Sequence, residues 1–152
     1  MLTLSKHYPA ASISTDNKLS DTTLSLTLAF ESRQKARLKT QLDDGQEVGL
    51  FLPRGIILRG GDVVQAETGE AVRIISANET VSTLKSNDPL LLARCCYHLG
   101  NRHVAIEIQP LFTRYLQDHV LDEMVVAFGV ELLHELAPFE PESGAYHSSH
   151  AH

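Results

Sequence analysis

The sequence predicts an α+β fold in three parts. A small all-β sandwich or barrel covers residues 1–75, a ferredoxin-like βαββαβ domain covers 76–137, and a flexible histidine-containing tail covers 138–152. Three observations carry this expectation. The first half is made of short alternating apolar runs broken by Gly-containing turns. The second half reads strand, helix, strand, strand, helix, strand. The last fifteen residues hold Pro, Gly, Ser and His without periodicity, the composition of a mobile terminus.

Leu24, Leu26, Leu28 and Phe30 alternate with Ser25, Thr27 and Ala29, the period of a strand with one buried face. Leu38 to Leu42 and Glu47 to Leu52 flank Asp43-Asp44-Gly45, and an Asp-Gly turn between extended runs predicts a hairpin. Ile56 to Leu58, Val63 to Ala66 and Ala71 to Ile75 complete the set of strands. Ser76 to Glu79 is polar and aperiodic, which places the domain boundary there. Val81 to Lys85 opens the second domain as a strand. Asp88-Pro89 then starts a helix as N-cap and first helical residue, and Gly100 is the expected left-handed stop. Val104, Ile106 and Ile108 alternate as the next strand, Pro110 ends it, and Phe112 to Gln117 is the third. Asp118 caps a second helix in which Leu121, Met124, Val125 and Phe128 fall at i, i+3, i+4 and i+7, with Gly129 as the stop and Val130 to Ala137 as the last strand.

The formal net charge of -6 argues against a surface built for nucleic acid, because phosphate binding relies on clustered Lys and Arg, and it mildly favours cations. No apolar run approaches the roughly 20 residues of a membrane span, and the N-terminus lacks the regions of a secretory signal, so a cytosolic protein is expected. Cys95 and Cys96 are adjacent, a spacing unsuited to an ordinary disulfide or a zinc site, and read as small buried groups on a helix.

Seven of the eight histidines lie in the second half of the chain. His98 falls in the last turn of the first helix, where the negative end of the helix dipole favours an imidazolium cap. His103 begins the following strand beside a turn. His119 follows the cap Asp118, and the positive end of that helix favours its neutral, ligating form. A twofold dimer can bring two copies of one exposed histidine to its axis, so that a single position supplies two ligands. His147, His150 and His152 form a short His-rich tract, a compositional metal-binding signal. Imidazoles without thiolates suit Ni(II), Cu(II) or Zn(II). His7 and His134 have no neighbouring ligand in the sequence and read as structural, and Met124 as core.

Four ordered segments resemble the UreE family of urease accessory proteins, which are nickel metallochaperones. They are Asp44-Gly45-Gln46-Glu47-Val48-Gly49-Leu50 with Leu52-Pro53-Arg54-Gly55, Cys96-Tyr97-His98-Leu99-Gly100-Asn101-Arg102-His103, Asp118-His119-Val120-Leu121-Asp122-Glu123-Met124, and Pro138-Phe139-Glu140-Pro141-Glu142-Ser143-Gly144-Ala145-Tyr146. The resemblance implies a homodimer with an N-terminal peptide-binding β domain and a C-terminal ferredoxin-like domain that dimerises and binds nickel. It implies His103 as the central ligand at the dimer axis and His119 as a second ligand found in some members. Those members carry a further histidine where this chain has Gln117, and many have longer His-rich tails. The implied recipients are the accessory GTPase UreG and, through it, apo-urease.

Two other readings compete. One is a protein-binding module of urease maturation whose histidines only buffer metal. The other, an RNA-binding split βαβ domain, requires stacking aromatics and basic residues on its central strands, and Val104 to Gln109 supplies neither.

Overall fold

The computed structural model describes residues 1–14 and 18–144, so His147, His150 and His152 lie outside the described residues. The chain divides into two compact units, Met1–Ala77 and a second beginning at Asn78. No helix among the described residues is long and apolar enough to cross a membrane.

The first unit is one six-stranded sheet. Its strands are β1 (Leu2–Tyr8), β2 (Leu24–Leu28), β3 (Arg37–Gln41), β4 (Glu47–Phe51), β5 (Val63–Ala66) and β6 (Ala71–Ser76), ordered β2-β6-β5-β1-β4-β3. The β1/β4 and β2/β6 pairs are parallel and the others antiparallel. The Asp43-Asp44-Gly45 turn forms as expected between β3 and β4, with Gly45 at φ 93° and Gln41 opposite Glu47. Asp43 then draws the two end strands together. Its N–H donates to Ser25 O at 3.0 Å, and its carboxylate accepts from Ser25 Oγ at 2.6 Å and Thr27 Oγ1 at 2.9 Å. The hydrogen bond from Ser25, the largest influence, and those from Thr27 outweigh slight desolvation and hold the Asp43 carboxyl below its ordinary range. The sheet is thereby a nearly closed barrel around Leu4, Leu26, Val48, Leu50, Val64, Val72 and Ile74.

Three features of this unit depart from expectation. The strand Leu2–Tyr8 lies in the middle of the sheet, where only Leu2 and Leu4 mark a buried face in the sequence. Phe30 does not end a strand but opens a single helical turn, α1 (Phe30–Arg33). Ile56 to Leu58 pairs with no strand, because a buried arginine takes over its backbone. Arg33 is fully buried, donating from Nε to Leu28 O at 3.1 Å and from Nη1 to Leu58 O at 3.0 Å, and Leu58 N–H donates back to Arg33 O at 2.9 Å. Leu58 therefore reaches the core from a loop whose polar groups are satisfied without a ladder.

The second unit is the four-stranded antiparallel sheet expected of a ferredoxin-like domain. Its elements are β7 (Asn78–Lys85), α2 (Pro89–Asn101), β8 (Glu107–Gln109), β9 (Phe112–Leu116), α3 (His119–Val126) and β10 (Glu131–Pro138), with strand order β10-β7-β9-β8. Both helix starts form as the sequence indicates. Asp88 accepts from Leu90 N–H at 3.0 Å, and Asp118 accepts from Val120 and Leu121 N–H at 2.9 and 3.1 Å. Leu84, Cys95, Leu99, Tyr115 and Val125 are the fully buried centre of its core.

Two boundaries move. The strand expected from Val104 is confined to Glu107–Gln109. The tail expected from Pro138 does not leave the fold there: Pro138 is the last residue of β10, and Phe139 and Pro141 are buried. Glu140 N–H donates to Glu107 Oε1 at 3.0 Å and Glu142 N–H to Ile106 O at 2.7 Å. The segment is apolar at alternate positions and finds polar partners at the start of β8, so burial and hydrogen bonding together offset its ordering.

Asp62 ties three segments of the first unit together. Almost fully buried, it accepts from Ala10 N–H at 2.9 Å, Arg59 N–H at 3.0 Å and His7 Nε2 at 2.8 Å. Asp62→Ala strands these donors, and urea denaturation is expected to show a loss of about 2–4 kcal/mol.

Candidate metal centre

The end of α2 sets the geometry of His103. Helix hydrogen bonding runs through Gly100 and Asn101, so Gly100 is an ordinary helical residue and not the left-handed stop expected from the sequence. The chain turns three residues later. His103 N–H donates to Gly100 O at 2.9 Å and Val104 N–H to Leu99 O at 3.4 Å, the paired bonds of a Schellman ending. Val104 packs on the core cluster that holds Leu99, which fixes the position of the turn. The left-handed residue this motif requires is His103, at φ 58°, and it is the one non-glycine residue with positive φ among the described residues. The position is normally glycine's, and a side chain there costs about 1 kcal/mol. An exposed imidazole thus stands at the tip of the helix-to-strand turn, where a glycine would be easier to fold.

The other expected ligands lie in different surroundings. His98 is half-buried and stacked on Phe128, with centroids 4.8 Å apart and planes 24° apart, while Tyr97 meets its edge at 5.1 Å. This packing explains the residue without a metal. His119 is the first residue of α3 and is exposed, as its cap position requires. Among the described residues no group of three or more His, Cys, Asp and Glu side chains is placed to hold a metal ion. Cys95 is fully buried, and desolvation, then the neighbouring Cys96, push its thiol above the ordinary range. Cys96 Sγ lies 3.2 Å from Thr113 Oγ1, so neither cysteine is presented as a thiolate ligand.

His134, read as structural from the sequence, belongs to a polar cluster under α3. Asp122 Oδ1 accepts from Tyr115 Oη at 2.6 Å and Ser82 Oγ at 2.7 Å, and Asp122 Oδ2 meets His134 Nε2 at 2.8 Å. A carboxylate only accepts, so the ring carries its proton on Nε2. Ser82, Tyr115 and His134 lie on β7, β9 and β10, so one carboxylate fastens α3 to three strands. Desolvation opposes ionisation of Asp122, but the hydrogen bonds from Tyr115, Ser82 and His134 outweigh it and hold the carboxyl below its ordinary range. Tyr115 is held far above the ordinary phenol range, first by burial and then by Asp122. In sequence these groups are up to 52 positions apart, and nothing local links them.

Charge is divided as unevenly as the histidines. The first unit has nine Lys and Arg against nine Asp and Glu, whereas the second has four against ten and carries the whole net charge of -6. A cation is therefore favoured over the unit that bears His103 and His119.

Comparison with known proteins assigns both units. The model of the UreE urease accessory protein N-terminal domain matches residues 9–77, and that of the UreE C-terminal domain matches residues 79–152. The chain belongs to the UreE family of urease accessory proteins. The urease accessory protein UreE of Alkalilimnicola ehrlichii is 53% identical over 146 residues, 96% of this chain and 85% of that protein. The UreE of Citrobacter koseri is 54% identical over 132 residues, covering 86% and 87%, and that of Proteus mirabilis is 52% identical over 126 residues, covering 83% and 78%. A member of the UreE family is an accessory protein of urease and not urease itself, and membership implies a role in urease maturation.

Two measurements probe the local energetics. Replacing His103 by glycine removes a left-handed side chain, so His103→Gly is expected to raise stability by up to about 1 kcal/mol in chemical denaturation. Asp122 has a depressed folded-state pKa, so its stabilisation is complete above the ordinary value of 3.8 and is lost as pH falls through the lower folded value. Asp122→Asn is expected to cost about 1–3 kcal/mol near neutral pH. Urea titrations at stepped pH should show this gap closing below pH ~4.

Proposed function

We propose that the chain is a cytosolic nickel metallochaperone that delivers Ni(II) for assembly of the urease metallocentre. The observation that supports it best is the exposed imidazole of His103 held in a glycine conformation at the helix end. Keeping histidine there sacrifices stability for a surface group, the pattern of a site under functional demand. One imidazole holds a divalent ion weakly, and the reading therefore rests on a homodimer whose two His103 side chains meet at the twofold axis. His147, His150 and His152 and water complete an N/O set suited to Ni(II), for which Zn(II) and Cu(II) compete. His119 is an accessory ligand exposed on the same unit, and His98, already stacked on Phe128, is the least available. A site assembled from several monodentate imidazoles exchanges them one at a time, which lets bound nickel pass to a recipient. In this reading the recipients are the GTPase UreG and the apo-urease maturation complex, and the first unit docks a partner segment.

The second reading, a docking module whose histidines only buffer metal, is favoured by the absence of a three-ligand cluster among the described residues. Equilibrium dialysis with Ni(II) separates the two. His103→Gly is expected to weaken the tightest site by ~10-fold or more, and a chain ending at Tyr146 to bind fewer ions. Urease activation under scarce nickel should fall with the His103 variant. An unchanged tightest site and unchanged activation would leave the buffering module as the better account.

A further inference from the structure

The residues after β10 carry the chain from one edge of the second unit's sheet to the other. β10 ends at Pro138 on one edge and β8 forms the opposite edge, with β7 and β9 between them. Three steps of about 4.8 Å from strand to strand set these edges roughly 14 Å apart. Phe139 and Pro141 are buried, and the N–H groups of Glu140 and Glu142 are bonded to Glu107 and Ile106, at and just before the start of β8. β8 is also the strand that follows His103. Ile106 comes three residues after His103, so no more than about 11 Å of chain separates the last bond of this strap from the left-handed residue.

Glu107 is a costly residue for its place. It is 6% exposed, and its carboxylate meets two neutral donors, Glu140 N–H at 3.0 Å and Gln109 Nε2 at 3.1 Å. Arg114 lies opposite it in register but is turned to the Phe112 ring and to Glu135. A carboxylate withdrawn from water without a counter-ion is unfavourable, and an apolar residue would serve the strand ladder equally well. An apolar residue could not accept from Glu140. The packing of Phe139 and Pro141 has no direction of its own, so the carboxylate decides where the strap is seated.

We propose that Glu107 is a positioning residue for the C-terminal imidazoles. By holding Glu140 it makes the residues after Glu142 set out from the β8 edge instead of from Pro138 on the β10 edge. With the strap released, the unfixed chain leading to His147 begins four residues earlier and on the far side of the sheet. Closure of the C-terminal imidazoles on an ion at His103 then becomes about threefold less favourable or more. The proposal rests on the nickel reading, which supplies the ligands, and assigns what places some of them.

The test measures Ni(II) affinity by dialysis against a competing chelator, in the full chain and in the chain ending at Tyr146. Glu107→Leu is expected to weaken the tightest site about threefold or more in the full chain and to leave the shortened chain unchanged. Glu142→Pro, which removes the donor to Ile106 without touching Glu107, should act in the same way. Glu107→Gln keeps an acceptor for Glu140 and should bind as the native chain does. Hydrogen exchange reads the strap itself: the Glu140 and Glu142 amides should exchange at least about tenfold faster in Glu107→Leu and at the native rate in Glu107→Gln. Unchanged exchange in Glu107→Leu would overturn the proposal, as would faster exchange with native affinity in the full chain. An equal loss of affinity in both chain lengths would overturn it in favour of a purely structural role. His103→Gly keeps the two ideas apart: the nickel reading fails if the tightest site survives that change, and the role of Glu107 fails if its effect does not depend on the residues after Tyr146.

Discussion

The second unit is organised around a single carboxylate. Asp122 sits in the first turns of α3 and receives hydrogen bonds from side chains on β7, β9 and β10. Apolar packing alone would hold α3 against the sheet but leave it free to slide along its own axis, because hydrophobic attraction has no direction. Three directed bonds to one helical position remove that freedom. They also set the height of the α3 N-terminus above the sheet, and so the place of Asp118 and His119. The first unit uses the same device twice. Asp62 gathers three donors from separated segments, and Arg33 supplies donors to two carbonyls where no strand pairs. In each case a charged group is withdrawn from water, fully for Arg33 and Asp62 and partly for Asp122, only because its hydrogen bonds are met.

What could be read from the sequence follows from how far each determinant reaches. The Asp43 to Gly45 turn, the caps Asp88 and Asp118, and the Gly129 stop are decided within a few residues, and all four form as expected. The order of strands and helices in the second unit was equally legible, since alternation and i, i+3 spacing are local. The end of α2 was not. Locally only Gly100 fits a stop, and the turn falls at His103 because Val104 packs on the cluster that holds Leu99, a contact that local propensity does not contain. The loop at Leu58 and the Asp122 cluster were hidden for the same reason: Arg33 is 25 residues from Leu58 and Ser82 is 40 from Asp122. Of the candidate ligands, the sequence marked His103 and His119 as exposed, but gave no sign that His98 would be spent on an aromatic stack or that His134 would find a carboxylate.

The two units divide the physical tasks. One has balanced charge and a nearly closed sheet; the other is strongly acidic and presents imidazoles on its surface. A cation is drawn to the second unit and not to the first, so the two surfaces select ligands of different charge.

The anchoring of Phe139 to Glu142 bears on the residues that follow it. Glu142 is bonded to Ile106, three positions from His103, and His147 comes five residues later in the sequence. Five residues reach at most about 18 Å even when fully extended. His147 is thus covalently leashed within that distance of Glu142. A tether of this length makes an encounter between His147 and the helix-to-strand turn an intramolecular event, with an effective concentration on the order of millimolar.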